Sequence, residues 1–140
     1  PVLTKVETSI EEELIYKTLK YIDGSNIVFH KNITRKRDLA LKKSIDLIRS
    51  MDDQKISIKD LCKVSQVSER TLEYAFLEKF QISPSQYIKA HRLYLVRKHL
   101  QNNKGKYHKI SDVASKYGFH HLGQFSYDFK RHFGLNPSQI

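Results

Sequence analysis

Apolar residues first recur with helical spacing at Ile10, Leu14, Ile15, Leu19 and Ile22. The pattern predicts an amphipathic helix over residues 9–21, with Glu11, Glu12 and Glu13 in the first turn, where the helix dipole favours carboxylates. Asp23, Gly24, Ser25 and Asn26 supply turn chemistry. A further helix is expected from Thr34 or Arg35 to Met51, with Leu39, Leu41, Ile45 and Ile48 facing inward and Asp52 and Asp53 ending it.

Beyond that point the chain repeats itself, and a repeat constrains architecture more strongly than local propensity does. Ile58, Asp60, Leu61, Cys62 and Val67 recur as Ile110, Asp112, Val113, Ala114 and Phe119 at an offset of 52. Leu72, Phe76, Phe80, Pro84, Ser85 and Gln86 recur as Phe125, Phe129, Phe133, Pro137, Ser138 and Gln139 at an offset of 53. Each copy predicts a short helix, a tight turn and a longer helix: 58–64 then 68–80, and 110–117 then 121–133. That is helix-turn-helix grammar.

Leu72, Phe76 and Phe80, like Phe125, Phe129 and Phe133, return every four residues, so each longer helix buries one stripe and leaves its other face free. The free face holds Arg70, Glu73 and Tyr74 in the first copy, and Gly123, Gln124, Ser126 and Tyr127 in the second. Such side chains donate to, accept from or lie against base edges, as a helix in the major groove must. Ser57 and Ser68 stand where an N-cap hydroxyl satisfies orphan backbone donors, a role compatible with holding phosphate. Between the copies, Pro84 opens a helix and Tyr87, Ile88, Leu93, Val96 and Leu100 keep helical spacing toward Asn102. Residues 84–100 make a rod of roughly 25 Å. It could hold two reading helices about one B-DNA turn apart, on the order of 34 Å. Asn102, Asn103, Lys104 and Gly105 break it.

Composition sharpens this picture. A chain of 140 residues suits one domain of about 100–150 residues or two very small ones. With 39% hydrophobic and 29% charged residues, 5 Gly and 3 Pro, it reads as globular, neither linker nor fibre. Its net charge of +10 draws polyanions, nucleic acid first and an anionic membrane surface second. Residues 1–54 hold 10 Lys/Arg against 9 Asp/Glu, whereas residues 55–140 hold 15 against 6, so the excess belongs to the repeated part. A merely solvated basic face remains the plain alternative.

The single cysteine, Cys62, fits a reducing compartment and the position of a small core side chain. No apolar run approaches the roughly 18–20 residues of a membrane span, and the first ten residues lack a signal-peptide pattern, so a cytoplasmic location is expected. Proline at position 1 suggests that an upstream segment was removed. Seven histidines invite a metal, yet His120 and His121 are adjacent, His132 lies eleven residues on and no second cysteine is present; no metal site is expected. No Gly-rich phosphate loop, Ser/His/Asp grouping or carboxylate pair appears, so neither catalytic residues nor a cofactor are expected.

From about Leu39 to Ile140 the chain resembles the DNA-binding domain of AraC/XylS-type bacterial transcription regulators. The resemblance rests first on Val67-Ser68-Glu69-Arg70-Thr71-Leu72 with Phe76, Ser83-Pro84-Ser85-Gln86-Tyr87-Ile88, and Arg92-Leu93 with Val96. In the second copy it rests on Ile110-Ser111-Asp112-Val113-Ala114, Tyr117-Gly118-Phe119, Gln124-Phe125-Ser126-Tyr127, Phe129-Lys130 and Pro137. It implies an all-α unit over 39–140, two helix-turn-helix subdomains at about 58–80 and 110–133 joined by a long central helix. Residues 1–38 would be an N-terminal helical extension or the tail of a missing sensor or dimerisation domain.

The resemblance also implies a sequence-specific DNA-binding regulator, an activator rather than an enzyme, with double-stranded promoter DNA and RNA polymerase as partners. A small-molecule effector would act only through the missing upstream domain. Arg70, Glu73, Tyr74, Gln124, Ser126 and Tyr127 would read bases; Ser57, Lys59, Ser68, Lys79, Lys109, Ser111, His121, Lys130 and Arg131 would hold the DNA backbone. Arg70 could instead pair with Glu73, and Glu73 could accept from cytosine or orient Arg70 or Tyr74. The stripe Tyr94, Arg97 and Lys98 is either a polymerase-facing patch or a solvated face. The chain departs from the family at Gln66, where the family has glycine: either this glutamine takes a left-handed conformation at a cost of roughly 1 to 2 kcal/mol, or the turn differs. Gln81 likewise stands in place of a usual glycine after the first reading helix, while Gly118 and Gly134 keep the rule in the second copy. The chain also ends at Ile140 where the family continues into a last helix. The alternative from a different class is a helical protein-interaction module whose basic face meets an acidic partner or a membrane surface.

Overall fold

Serine hydroxyls open three helices. Ser57 accepts the Asp60 N–H at 3.3 Å while the Asp60 carboxylate accepts the Ser57 N–H at 2.8 Å. Ser83 and Gln86 exchange the same pair of bonds at 3.2 and 2.8 Å, with Pro84 preset for the first helical turn. Ser68 accepts the Thr71 N–H at 3.2 Å. A cap of this kind stabilises by about 1 kcal/mol.

The computed structural model describes residues 33–51, 55–104, 106 and 109–140. Among them it holds six α-helices and no strand: α1 (Ile33–Ser50), α2 (Ile58–Ser65), α3 (Glu69–Phe80), α4 (Pro84–Asn102), α5 (Ile110–Lys116) and α6 (Leu122–Phe133), then a 3-10 turn at Pro137–Gln139. The all-α expectation holds, and both short-helix, turn, long-helix units are present. The helix expected over 9–21, the turn at 23–26, the stop at Asp52 and Asp53 and the break at Gly105 lie outside the described residues.

Each helix-turn-helix needs a residue in the left-handed region after its helices. Gln66 closes α2 at φ 56° and Gln81 closes α3 at φ 57°, so the left-handed alternative is the one taken and the turn is kept, and Gly134 does the same for α6 at φ 78°. The Gln81 N–H still reaches the Leu77 carbonyl at 2.9 Å, which helps to offset the backbone strain.

Among the described residues two hydrophobic cores form, one per unit. The first joins Leu41, Ile48, Ile56, Leu61, Leu72, Phe76, Tyr87 and Ile88; the second joins Leu93, Val96, Val113, Ala114, Phe125 and Phe129. Helix α4 supplies Tyr87 and Ile88 to one and Leu93 and Val96 to the other, so it is a wall common to both. The four-residue aromatic spacing becomes a ladder of ring contacts: Phe125 to Phe129 at 5.6 Å and Phe129 to Phe133 at 4.7 Å between centroids. Ile140 and Leu135 pack onto this second core.

One inward assignment is corrected. Leu39 is 54% exposed, while Ala40, Leu41, Ser44 and Ile48 are the buried positions of α1. Ser44 is tolerated inside because its hydroxyl donates to the Ala40 carbonyl at 2.8 Å, and its small side chain lets α1 sit close to its neighbours. Hydrophobicity alone ranks Leu39 above Ser44; close packing ranks them the other way.

Candidate nucleic-acid interface

Because Leu72, Ala75 and Phe76 are buried, α3 turns Arg70, Glu73 and Tyr74 to solvent. Tyr74 is 48% exposed. Arg70 Nη2 donates to the Tyr74 hydroxyl at 3.4 Å, and the guanidinium lies 5.7 Å from the ring centroid. The structure thus brings Arg70 to Tyr74 and not to Glu73. Among the described residues Glu73 has neither a hydrogen bond nor an ion pair, so it does not orient Arg70 or Tyr74 here. One turn apart, i to i+4, a flat ring gives the long Arg70 side chain a broad surface to lie on.

In α6, Phe125 and Phe129 point inward, Gly123, Gln124 and Tyr127 are exposed, and Ser126 is half-buried. Tyr127, 62% exposed, stands near the middle of the free face. Gln124 Nε2 donates to Asp128 Oδ1 at 3.1 Å, and the other Asp128 oxygen takes Lys89 of α4 in an ion pair. Gln124 is therefore held along its own helix by an acid tethered to the connecting helix, and the structure does not bring it to Ser126 or Tyr127.

The predicted backbone-holding residues are spread around these faces. Ser57, Lys59, Ser68, Lys79, Lys109, His121, Lys130 and Arg131 are exposed and Ser111 is half-buried. The lobes differ at their helix starts. In the first, Ser57 and Ser68 are engaged as caps; in the second, Lys109 and His121 occupy the cap positions without a side-chain bond to the helix.

Local bonding shapes the charge. Hydrogen bonds from the Ser57 hydroxyl and then its backbone N–H hold the Asp60 carboxyl below the usual carboxylate range. Glu78 is paired with Arg37, and Asp128 with Lys89. Arg97 packs its guanidinium 4.8 Å from the Phe133 ring, and Tyr94 stacks on His91, so the Tyr94, Arg97, Lys98 stripe is half-buried and partly engaged in packing. Burial and then the Glu69 charge push the Cys62 thiol up, which favours the protonated thiol over the thiolate. Among the described residues no His, Cys, Asp and Glu side chains cluster in a way that could hold a metal ion, and no helix is long and apolar enough to cross a membrane.

Two residues escape the sequence reading. Leu77 is an exposed apolar side chain three residues beyond Tyr74 and seven beyond Arg70, on the same stripe. That spacing was legible, but an apolar residue is assigned to the core by default. Arg37 approaches the same face from α1, and with 41 residues separating it from Glu78 no local pattern announces it.

A family model described as a helix-turn-helix domain matches residues 61–140. The chain is 28% identical over 115 residues to a XylDLEGF operon transcriptional activator of Pseudomonas putida, covering 82% of this chain and 35% of that protein. It is 32% identical over 94 residues to XylDLEGF operon transcriptional activator 2 of Pseudomonas putida, covering 67% of this chain and 60% of that protein. It is also 33% identical over 97 residues to the HTH-type transcriptional activator RhaR of Yersinia pseudotuberculosis, covering 66% and 32%. The chain spans about a third of the length of the first of these relatives. No solved structure matches it significantly.

Proposed function

Because this chain belongs to the AraC/XylS family of helix-turn-helix transcription regulators, we propose that it recognises promoter DNA through α3 and α6 and activates transcription there. The observation that carries this reading is the paired presentation: two helices of the same design each bury an apolar stripe that recurs every four residues and expose polar and aromatic side chains, one before and one after the 19-residue α4 in the chain.

Arg70, Tyr74 and Glu73 would read one major-groove segment and Gln124, Ser126 and Tyr127 the next. Ser57, Lys59, Ser68, Lys79, Lys109, Ser111, His121, Lys130 and Arg131 would grip phosphates. Affinity then comes mainly from cations on the backbone and sequence choice from the two faces. Residues 39–140 form the DNA-binding unit in this reading, and residues 1–38 are an extension or the end of a sensor or dimerisation domain through which an effector acts. RNA polymerase is the partner that activation requires, and the site of action is the cytoplasm. The relatives are named as activators, which supports activation over repression. A helical protein-interaction module is not favoured, since the family consists of transcription regulators.

Selection from a random duplex pool, followed by footprinting, tests the reading. Two short protected blocks about one turn apart, on the order of 34 Å, are expected. Affinity should fall with salt at a log-log slope near 0.9 per phosphate contact while a preference among duplexes persists. Binding with no preference for any duplex overturns it.

A further inference from the structure

Helix α1 lies outside both helix-turn-helix motifs, yet it sends one guanidinium to the rim of the first reading face. Arg37 Nη1 donates to Glu78 Oε2 at 3.1 Å, and Arg37 Cζ lies 5.8 Å from the centroid of Tyr74. Arg70 meets the same ring at 5.7 Å. The Tyr74 ring is thus approached by guanidiniums from two helices, and Glu78 offsets the repulsion by pairing with one of them.

A purely structural role explains this arrangement poorly. The Arg37 and Glu78 side chains are 34% and 41% exposed, and an ion pair so wet contributes little to stability. Geometry suits a different task. Arginine carries several N–H donors in a rigid fork, and in this pair only Nη1 is engaged with the carboxylate, so the remaining donors are free to meet a second oxyanion. A duplex seated against Tyr74 brings phosphates to the edge of α3, where Arg37 is already held by Glu78. Glu78 would otherwise repel those phosphates; bound to Arg37, it positions the cation instead.

We propose that Arg37 is a phosphate-contacting residue of the first lobe, anchored by Glu78, which gives DNA a grip on α1. The inference rests on the reading of the α3 face as the surface that meets DNA.

The test is a salt series on the whole chain with a selected duplex and a scrambled one, comparing wild type, Arg37→Ala, Glu78→Gln and the double variant. Arg37→Ala and the double variant are expected to bind both duplexes several-fold more weakly, to keep the preference ratio, and to lose about 0.9 from the log-log slope, the value of one phosphate contact. Glu78→Gln alone keeps the slope. Arg37→Gln retains a donor for Glu78 without the charge; it should reproduce the loss and serves if Arg37→Ala disturbs the helix. If Arg37 only neutralises Glu78, the double variant returns to wild-type affinity and slope, and the inference falls while the reading of α3 stands. If the wild type itself shows no salt-dependent duplex binding, both fall together.

Discussion

Arg92 Nη2 donates to the carbonyl oxygen of Ile56 at 3.2 Å, joining the connecting helix to the residue just before the Ser57 cap of the first unit. The same guanidinium lies against the turn of the second unit, where a Cβ added to Gly118 would stand 3.6 Å from Nη1. One side chain is therefore bonded to the first lobe and lies beside the turn of the second. Burial lowers the pKa of Arg92, but an arginine remains charged under these conditions.

Replacing that strut should loosen the relation between the lobes more than either lobe itself. Arg92→Ala is expected to cost about 1.5 to 3 kcal/mol, the range for a hydrogen bond from a charged donor. It should also flatten discrimination between duplexes whose two protected segments are shifted by a single base pair. Urea denaturation and competition binding check the two effects separately; unchanged spacing preference would remove Arg92 from the geometry of binding.

The left-handed glutamines offer a gain. Gln66→Gly and Gln81→Gly relieve backbone strain at φ 56° and φ 57° and should each stabilise by about 1 kcal/mol, read as a rise in the thermal midpoint. Gln66→Val should go the other way, because a β-branched side chain tolerates positive φ least.

The two cores predict separable damage. Phe76→Ala and Phe129→Ala each empty a fully buried ring site and should cost about 3 to 5 kcal/mol. Hydrogen exchange should show α2 and α3 losing protection first in the former, and α5 and α6 first in the latter. Simultaneous loss everywhere in both variants would mean that α4 couples the lobes into one cooperative unit.

Acid should act in two steps. Burial, then the charge of Arg97, lowers the His132 pKa below its ordinary 6.5. The folded chain holds this imidazole neutral while the unfolded chain takes a proton, so stability is full above about pH 6.5 and falls as pH drops through that value toward the folded pKa. His132→Gln should abolish this step in urea titrations run from about pH 8 to pH 5. Asp60 behaves as a depressed carboxylate: its contribution is present above the ordinary value of 3.8 and is lost as pH falls through the lower folded pKa. Asp60→Asn should remove that second step and leave the first.

Base readers and backbone grips should separate in binding. Arg70→Ala is expected to relax preference at one base position by about 1 to 3 kcal/mol, whereas Lys130→Ala should weaken all duplexes alike and lower the salt slope by about 0.9. An Arg70 variant with an unchanged position matrix would exclude the residue from reading.

Much of this architecture was legible along the chain. The recurrence of Phe76 and Phe80 as Phe129 and Phe133 revealed two equivalent units; Ser57, Ser68 and Pro84 marked helix starts; Gln66 and Gln81 stood out as positions where the backbone had either to turn left-handed without glycine or to turn differently. These features depend on hydrogen bonds and stripes spanning about four residues, which any stretch of sequence carries within itself. The exposed faces of α3 and α6 followed from the buried ones.

What the pattern alone left open was which distant groups meet. Arg37 reaches Glu78 across 41 residues, Arg92 reaches Ile56 across 36, and Lys89 captures the Asp128 that holds Gln124. Likewise Ser44 took the interior place that Leu39 was expected to fill. Periodicity and capping thus determined the helices and their inward faces. Helix packing decided the partners, because contact between residues far apart in sequence depends on how closely whole helices approach, a quantity that backbone spacing and side-chain volume set together and that no single stretch contains.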